Sequence, residues 1–153
     1  MNNKKGFTLV ELLAVLVILG IVSFIAVPNV IELINGNKKD AILGDARKMI
    51  SYAKSEVLVN KIYRDSGSHK FKLNELNKND LKSDPDGNDY DNDNSYVMYT
   101  KVDNVDTYCV YLKSTSMVVG QTSIGGKCTS TSVSDCTCVK EIDLFSRDKV
   151  YMG

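Results

Sequence analysis

The stretch FTLVELLAVLVILGIVSFIAVPNVIELI, residues 7–34, decides the fold: 21 of its 28 residues are hydrophobic. From Leu12 to Ile31 no charged residue occurs. With Phe7–Val10 ahead of it, the run reaches the roughly 20 residues that a helix needs to cross a bilayer core. Two residues stand out inside it. Glu11 is set near the start, where a carboxylate at membrane depth costs on the order of 2.5–3.5 kcal/mol, and less near the interface. Pro28 removes a backbone donor and crowds the preceding turn, so it is expected to kink the helix or loosen it locally. Ahead of the run lies a polar leader, Met1-Asn2-Asn3-Lys4-Lys5-Gly6, and no Ala-x-Ala-like site follows Val27. That order differs from a secretory signal peptide, whose cleavage site comes after its apolar core.

Working outward, the rest of the chain is different in kind. Residues 35–153 hold 44 hydrophobic residues in 119, so the molecule is an apolar stem followed by a polar head. The whole chain has 153 residues, which fits one modest domain. Its 19 Lys and Arg balance 19 Asp and Glu, which argues against a general polyanion binder, so no specific nucleic acid is expected as a partner.

Lys5-Gly6-Phe7-Thr8-Leu9-Val10-Glu11-Leu12 closely resembles the processing and assembly motif of the type IV pilin superfamily. The resemblance rests on the Gly-Phe junction, a Glu five positions into the would-be mature chain, the long apolar run and Pro28. It covers roughly residues 1–60, and pseudopilins and competence pilins share it. It implies that a prepilin peptidase cuts after Gly6 and that the new terminus, Phe7, is N-methylated. It implies further that Glu11 pairs with the terminal amine of a neighbouring subunit, so that two buried charges are removed together and subunit register is set. An ordinary single-pass anchor that tolerates a Glu near the interface is the plain alternative.

Beyond Gly36 the pattern turns amphipathic. Ile42, Ala46, Met49, Ile50, Ala53 and Val57 make the apolar stripe of a helix, with Lys39, Asp45, Lys48, Lys54 and Glu56 on other faces. If the stretches join, a helix from Phe7 to about Ile62 has 56 residues and is about 84 Å long. Such a helix cannot bury itself in one small domain. Its first half must meet lipid or copies of itself, and its second half, about 37–62, packs on the head. Asn35-Gly36-Asn37 and Gly44 weaken the middle, so a break is expected near 35–37.

After the turn signal Arg64-Asp65-Ser66-Gly67-Ser68, short β-rich runs follow at Tyr96–Lys101, Thr107–Lys113, Met117–Gly120 and Thr137–Val139, with a weaker one at Val150–Met152. The expected fold class is α+β: a long N-terminal helix laid on a small antiparallel sheet. The expected segments are a leader 1–6, a stem 7–34 and a head 35–153. His69, the only His, reads as a surface turn residue.

Charge is polarised along the head: residues 37–82 hold 11 Lys and Arg against 6 Asp and Glu, while 83–106 hold 1 against 7. Complementary patches could help subunits meet; solvated faces are the plain reading. Within the acidic part, Asp89, Asp91 and Asp93 fit positions 1, 3 and 5 of an EF-hand loop. Asn94 then stands where Gly is expected and Thr100 where the bidentate Glu belongs. The set is a weak calcium candidate, set against a solvated acidic turn; otherwise no cofactor is expected.

The cysteines are Cys109, Cys128, Cys136 and Cys138. If the head is exported, as the stem and leader imply, an even count points to two disulfides. A Cys136–Cys138 ring across one residue is strained, which leaves two connectivities. Cys109–Cys138, joining two strand-like runs, with Cys128–Cys136 closing a short loop, is favoured. Free thiols, and zinc on the thiolates of Cys128, Cys136 and Cys138, are the alternatives. No phosphate loop, HExxH or nucleophile elbow occurs, so no enzymatic activity is expected.

The leading reading is a structural pilin, held in the cytoplasmic membrane with its head exported and then polymerised into an extracellular pilus used for adhesion or motility. Its expected partners are other pilin subunits, the prepilin peptidase and methylase, an inner-membrane assembly platform and membrane lipid. The alternatives are a minor pilin or pseudopilin serving type II secretion or DNA uptake, and a membrane-anchored binding domain with an unprocessed stem.

Overall fold

A computed structural model describes residues 7–60, 67–76, 80–122 and 136–152. The chain divides into two units, Met1–Asn37 and Lys38–Gly153. Helix α1, Leu9–Val59, is continuous in secondary structure. The break expected near 35–37 does not occur. One Gly costs about 1 kcal/mol in a helix interior, which is too little to outweigh the cooperativity of the turns on either side. The helix also continues past Pro28. Ile62, the expected end, lies outside the described residues, and the last described turn closes with Asn60 N–H donating to the Glu56 carbonyl at 2.9 Å.

In the second unit the amphipathic stripe behaves as its spacing requires. Ile42, Leu43, Ala46, Met49, Ile50, Ala53 and Val57 are all at most 2% exposed. They pack with alternating residues of an antiparallel sheet built from β1 (Gly67–Lys72), β2 (Tyr96–Val102), β3 (Val105–Lys113), β4 (Met117–Val119), β7 (Val139–Lys140) and β8 (Val150–Met152). A short helix, α2 (Leu73–Leu76), adds Leu73 and Leu76 to the core. Val97 and Tyr99 on β2, and Tyr108, Val110 and Leu112 on β3, face this core, the period of two that a half-buried strand demands. Each large side chain so buried stabilises by roughly 1.5–3 kcal/mol, so this layer dominates the head.

Strand order is β1-β2-β3-β4-β8, with β7 also pairing β3. The second edge of β3 is therefore shared: Cys109 and Val110 pair with Lys140 and Val139, while Leu112 and Lys113 pair with Val119 and Val118. β2 and β3 form a hairpin whose two central residues, Asp103 and Asn104, have φ of 50° and 64°, the paired left-handed turn that suits the twist of a hairpin. A separate pair joins β5 (Gln121–Thr122) to β6 (Cys136–Thr137).

Two sequence expectations change here. The single run Thr137–Val139 is split: Thr137 belongs to β6 and Val139 to β7, with Cys138 at the changeover. Gly67 and Ser68, expected in a turn, open β1, and His69 is a strand residue, exposed and tilted against Phe71 with ring centroids 4.4 Å apart. Only Phe71 of the six β1 residues is buried. The strand is specified by backbone pairing to β2, which leaves almost no hydropathic trace.

Candidate assembly stem

Residues 9–34 are helical, and every described residue among them is exposed. The large apolar side chains from Phe7 to Ile34 are 46–88% exposed. An all-round apolar helix of this kind is built for lipid or for neighbouring helices. Phe24, at 87%, projects furthest within the helix, beside a groove that it lines with Gly20, Ser23, Val27 and Pro28. Immediately after the proline, Asn29 Nδ2 donates to the Ile25 carbonyl at 3.2 Å.

The start of α1 is more specific than the spacing alone indicated. Phe7 and Thr8 stand outside the helix. Thr8 N–H donates to Glu11 Oε2 at 2.8 Å and Thr8 Oγ1 to the same oxygen at 2.9 Å, while Glu11 N–H donates to Thr8 Oγ1 at 3.3 Å. This is a reciprocal capping box, with Thr8 as N-cap and Glu11 at N3. The Thr-x-x-Glu pattern was visible in the sequence, but Glu11 drew attention as a charge in an apolar run, and its local partner was missed. A carboxylate in the first turn also complements the positive end of the helix dipole.

The other site residues separate clearly. Gly6 lies outside the described residues. Cys109 and Cys138 are disulfide-bonded, with Cα atoms 5.3 Å apart, so zinc on Cys138 is excluded. Cys128 lies outside the described residues, as does the side chain of Cys136.

The calcium candidate is not assembled. Asp91 uses both carboxylate oxygens on its own turn: Oδ1 accepts from Asp93 N–H at 3.2 Å and Asn94 N–H at 3.0 Å, and Oδ2 from Asn94 Nδ2 at 2.8 Å. Asp93 Oδ1 accepts from Asn74 Nδ2 at 3.4 Å, and Asp89 is bridged through its backbone to Ser83. Among the described residues, no group of three or more His, Cys, Asp or Glu is placed to hold a metal ion. The Asp91 carboxylate is committed to its own turn.

A neighbouring acid carries more of the structure than any of these. Asp84 is 4% exposed. Its Oδ1 accepts from Asp86 N–H at 2.9 Å and Asn88 N–H at 3.0 Å; its Oδ2 accepts from Ser116 Oγ at 2.7 Å and from Ser114 Oγ. Burial favours the neutral acid, but these donors outweigh it and hold the carboxyl down at about 2. Asp84 thereby fastens the 84–88 turn to the β3–β4 connection. The same acidic segment reaches α1 through Tyr90, whose hydroxyl donates to Asp45 Oδ2 at 2.9 Å, and through the Lys38–Asp86 ion pair.

With the stem and its acid placed, comparison with known families becomes informative. Residues 1–27 match the family model for the prokaryotic N-terminal methylation motif. The chain carries a class III prepilin leader. The match covers Gly6, Phe7 and Glu11 and stops one residue short of Pro28. No curated protein and no solved structure matches the chain. The prepilin motif is thus established at the N-terminus, and the α+β head follows from its own geometry.

Proposed function

We propose that the chain is the structural subunit of a type IV pilus-like extracellular filament, cut after Gly6 by a prepilin peptidase, N-methylated at Phe7 and assembled through residues 7–34. The single observation that carries this reading is a prepilin leader joined to a helix whose apolar side chains are exposed on every side. In this reading residues 1–6 are removed, the stem anchors the precursor in the cytoplasmic membrane, and residues 35–153 form the exported head. Glu11 neutralises the terminal amine of a neighbouring copy, and Pro28 lets the stem bend as it leaves lipid. The protein acts as substrate of the peptidase and methylase and has no catalysis of its own.

Replacing the junction residue tests the assignment. Gly6→Ala is expected to leave the precursor uncut, so that N-terminal sequencing reads Met1; a mature terminus at Phe7 in that variant would refute the processing site. Abundance in sheared surface filaments then separates a major subunit from a minor pilin or a pseudopilin.

A further inference from the structure

The capping box stands immediately beside the bond that the proposed processing breaks. From Leu9 onward the chain has every reason to be helical, because in lipid a helix is the way for an isolated segment to satisfy its own backbone groups. Nothing in the apolar character of Phe7 would stop that helix from growing backward through the junction. A peptide bond drawn into a helical turn has its carbonyl engaged and its faces covered, whereas hydrolysis needs an extended bond whose carbonyl water can reach. Thr8 supplies the stop. Its hydroxyl takes the Glu11 N–H at 3.3 Å, and its own N–H and hydroxyl are turned onto the Glu11 carboxylate at 2.8 and 2.9 Å. The backbone donor that an extended helix would use at Thr8 is already paired with a side chain. Phe7, the residue on the far side of this stop, is 88% exposed and non-helical.

We propose that Thr8 is a positioning residue for processing: as the N-cap that with Glu11 stops α1 at Leu9, it holds Phe7 out of the helix and presents the Gly6–Phe7 bond to the peptidase. The inference rests on the prepilin reading above. The reaction is simple hydrolysis, in which water adds across the bond, the leader leaves with a Gly6 carboxylate and Phe7 keeps the amine, which takes up a proton. Glu11 has two separable duties on this view. One is a hydrogen-bond acceptor in the cap, which an amide can perform; the other is a negative charge for assembly, which an amide cannot.

The test follows cleavage of the full-length chain in membranes containing a prepilin peptidase, by pulse-chase and by mass, with carbonate extraction to verify insertion. Thr8→Val removes the hydroxyl at nearly constant size and is expected to be cut about fivefold more slowly, the size of a lost N-cap. Thr8→Ser, which keeps the capping hydroxyl, restores the wild-type rate. Glu11→Gln keeps the cap and is cut normally while failing to give filaments. Should Thr8→Val fail to insert, Thr8→Ala reads the same loss. Cleavage of Thr8→Val or Thr8→Ala at the wild-type rate overturns the inference, as does a Thr8→Ser variant as slow as Thr8→Val. A wild-type chain that is never cut after Gly6 overturns the prepilin reading itself, which is a distinguishable failure.

Discussion

Two stretches of one helix treat apolar side chains in opposite ways. Along 9–34 the large ones are 46–81% exposed, or 87% at Phe24, whereas the seven stripe residues from Ile42 to Val57 are at most 2% exposed. The difference is one of pattern more than of composition. A stripe has one face to bury and finds it against a single sheet; an apolar cylinder has no polar face, and no single sheet can cover it. The second stretch is therefore buried within one chain, while the first leaves its apolar side chains exposed, and the proposed function covers them with lipid or other copies. A substitution should then report on one property or the other, according to which stretch it touches.

The largest expected effect is on assembly. Glu11→Ala removes the charge proposed to meet a neighbour's amine, and filaments should be lost from the cell surface by electron microscopy and shearing. Most cleavage should survive, since the Thr8 hydroxyl still accepts the residue-11 N–H. The head should not notice: hydrogen exchange along 42–57 and the melting transition should stay within about 0.5 kcal/mol of wild type. Normal filaments would break the proposed pairing, and a destabilised head would break the comparison between the two stretches.

Next comes a change confined to the head. The Cys109–Cys138 bond closes a loop with a sequence separation of 29, and a loop of that length restricts the unfolded chain by roughly 3–4 kcal/mol. Cys109→Ser should lower the stability of the folded head by that order in a denaturant titration, with membrane insertion and cleavage after Gly6 unchanged. A variant as stable as wild type would mean that the sheet does not depend on this cross-link.

Legibility in the sequence followed the same division. The stem was readable from the length of its unbroken apolar run, and the stripe from Ile42 to Val57 and the strands β2 and β3 because burial imposes a period on them. Glu11 stood out because an acid in an apolar run is costly, whereas the Gly6-Phe7 junction was read from the resemblance to pilins. β1 was hidden, since Phe71 is its single buried side chain and backbone pairing carries no hydropathic mark. The split at Cys138 was hidden because β6 and β7 have only two residues each, and which partner each takes is settled by tertiary packing. Asp89, Asp91 and Asp93 suit a metal loop by spacing, but an acid at such a position serves a turn equally well, as Asp91 does by accepting from Asp93 and Asn94. Asp84, the acid that organises the segment, fits neither pattern, because Ser114 and Ser116, thirty or more residues away, supply two of its donors.

The smallest expected effect concerns that acid and the dependence of the head on pH. The folded Asp84 carboxyl lies at about 2, below its ordinary 3.8. A depressed acid stabilises the fold fully above its unfolded value and loses that contribution as pH falls through the folded one. The window is therefore about pH 4 down to about pH 2, and the shift corresponds to about 2 kcal/mol. Asp91, also held low against the cost of its burial by Asn94 and the Asp93 N–H, contributes in the same direction, so the wild-type slope has two sources. Asp84→Asn separates them, because it keeps the size of the side chain and removes the titration. Melting followed from pH 6 to pH 2 should fall steeply for wild type and less steeply for Asp84→Asn, whose deficit at pH 6 narrows as the medium is acidified. Parallel curves would show that the Ser114 and Ser116 hydroxyls do not depend on the charge they meet. A change at the start of the stem offers the internal control: a Glu11→Gln chain should melt along the wild-type curve at every pH.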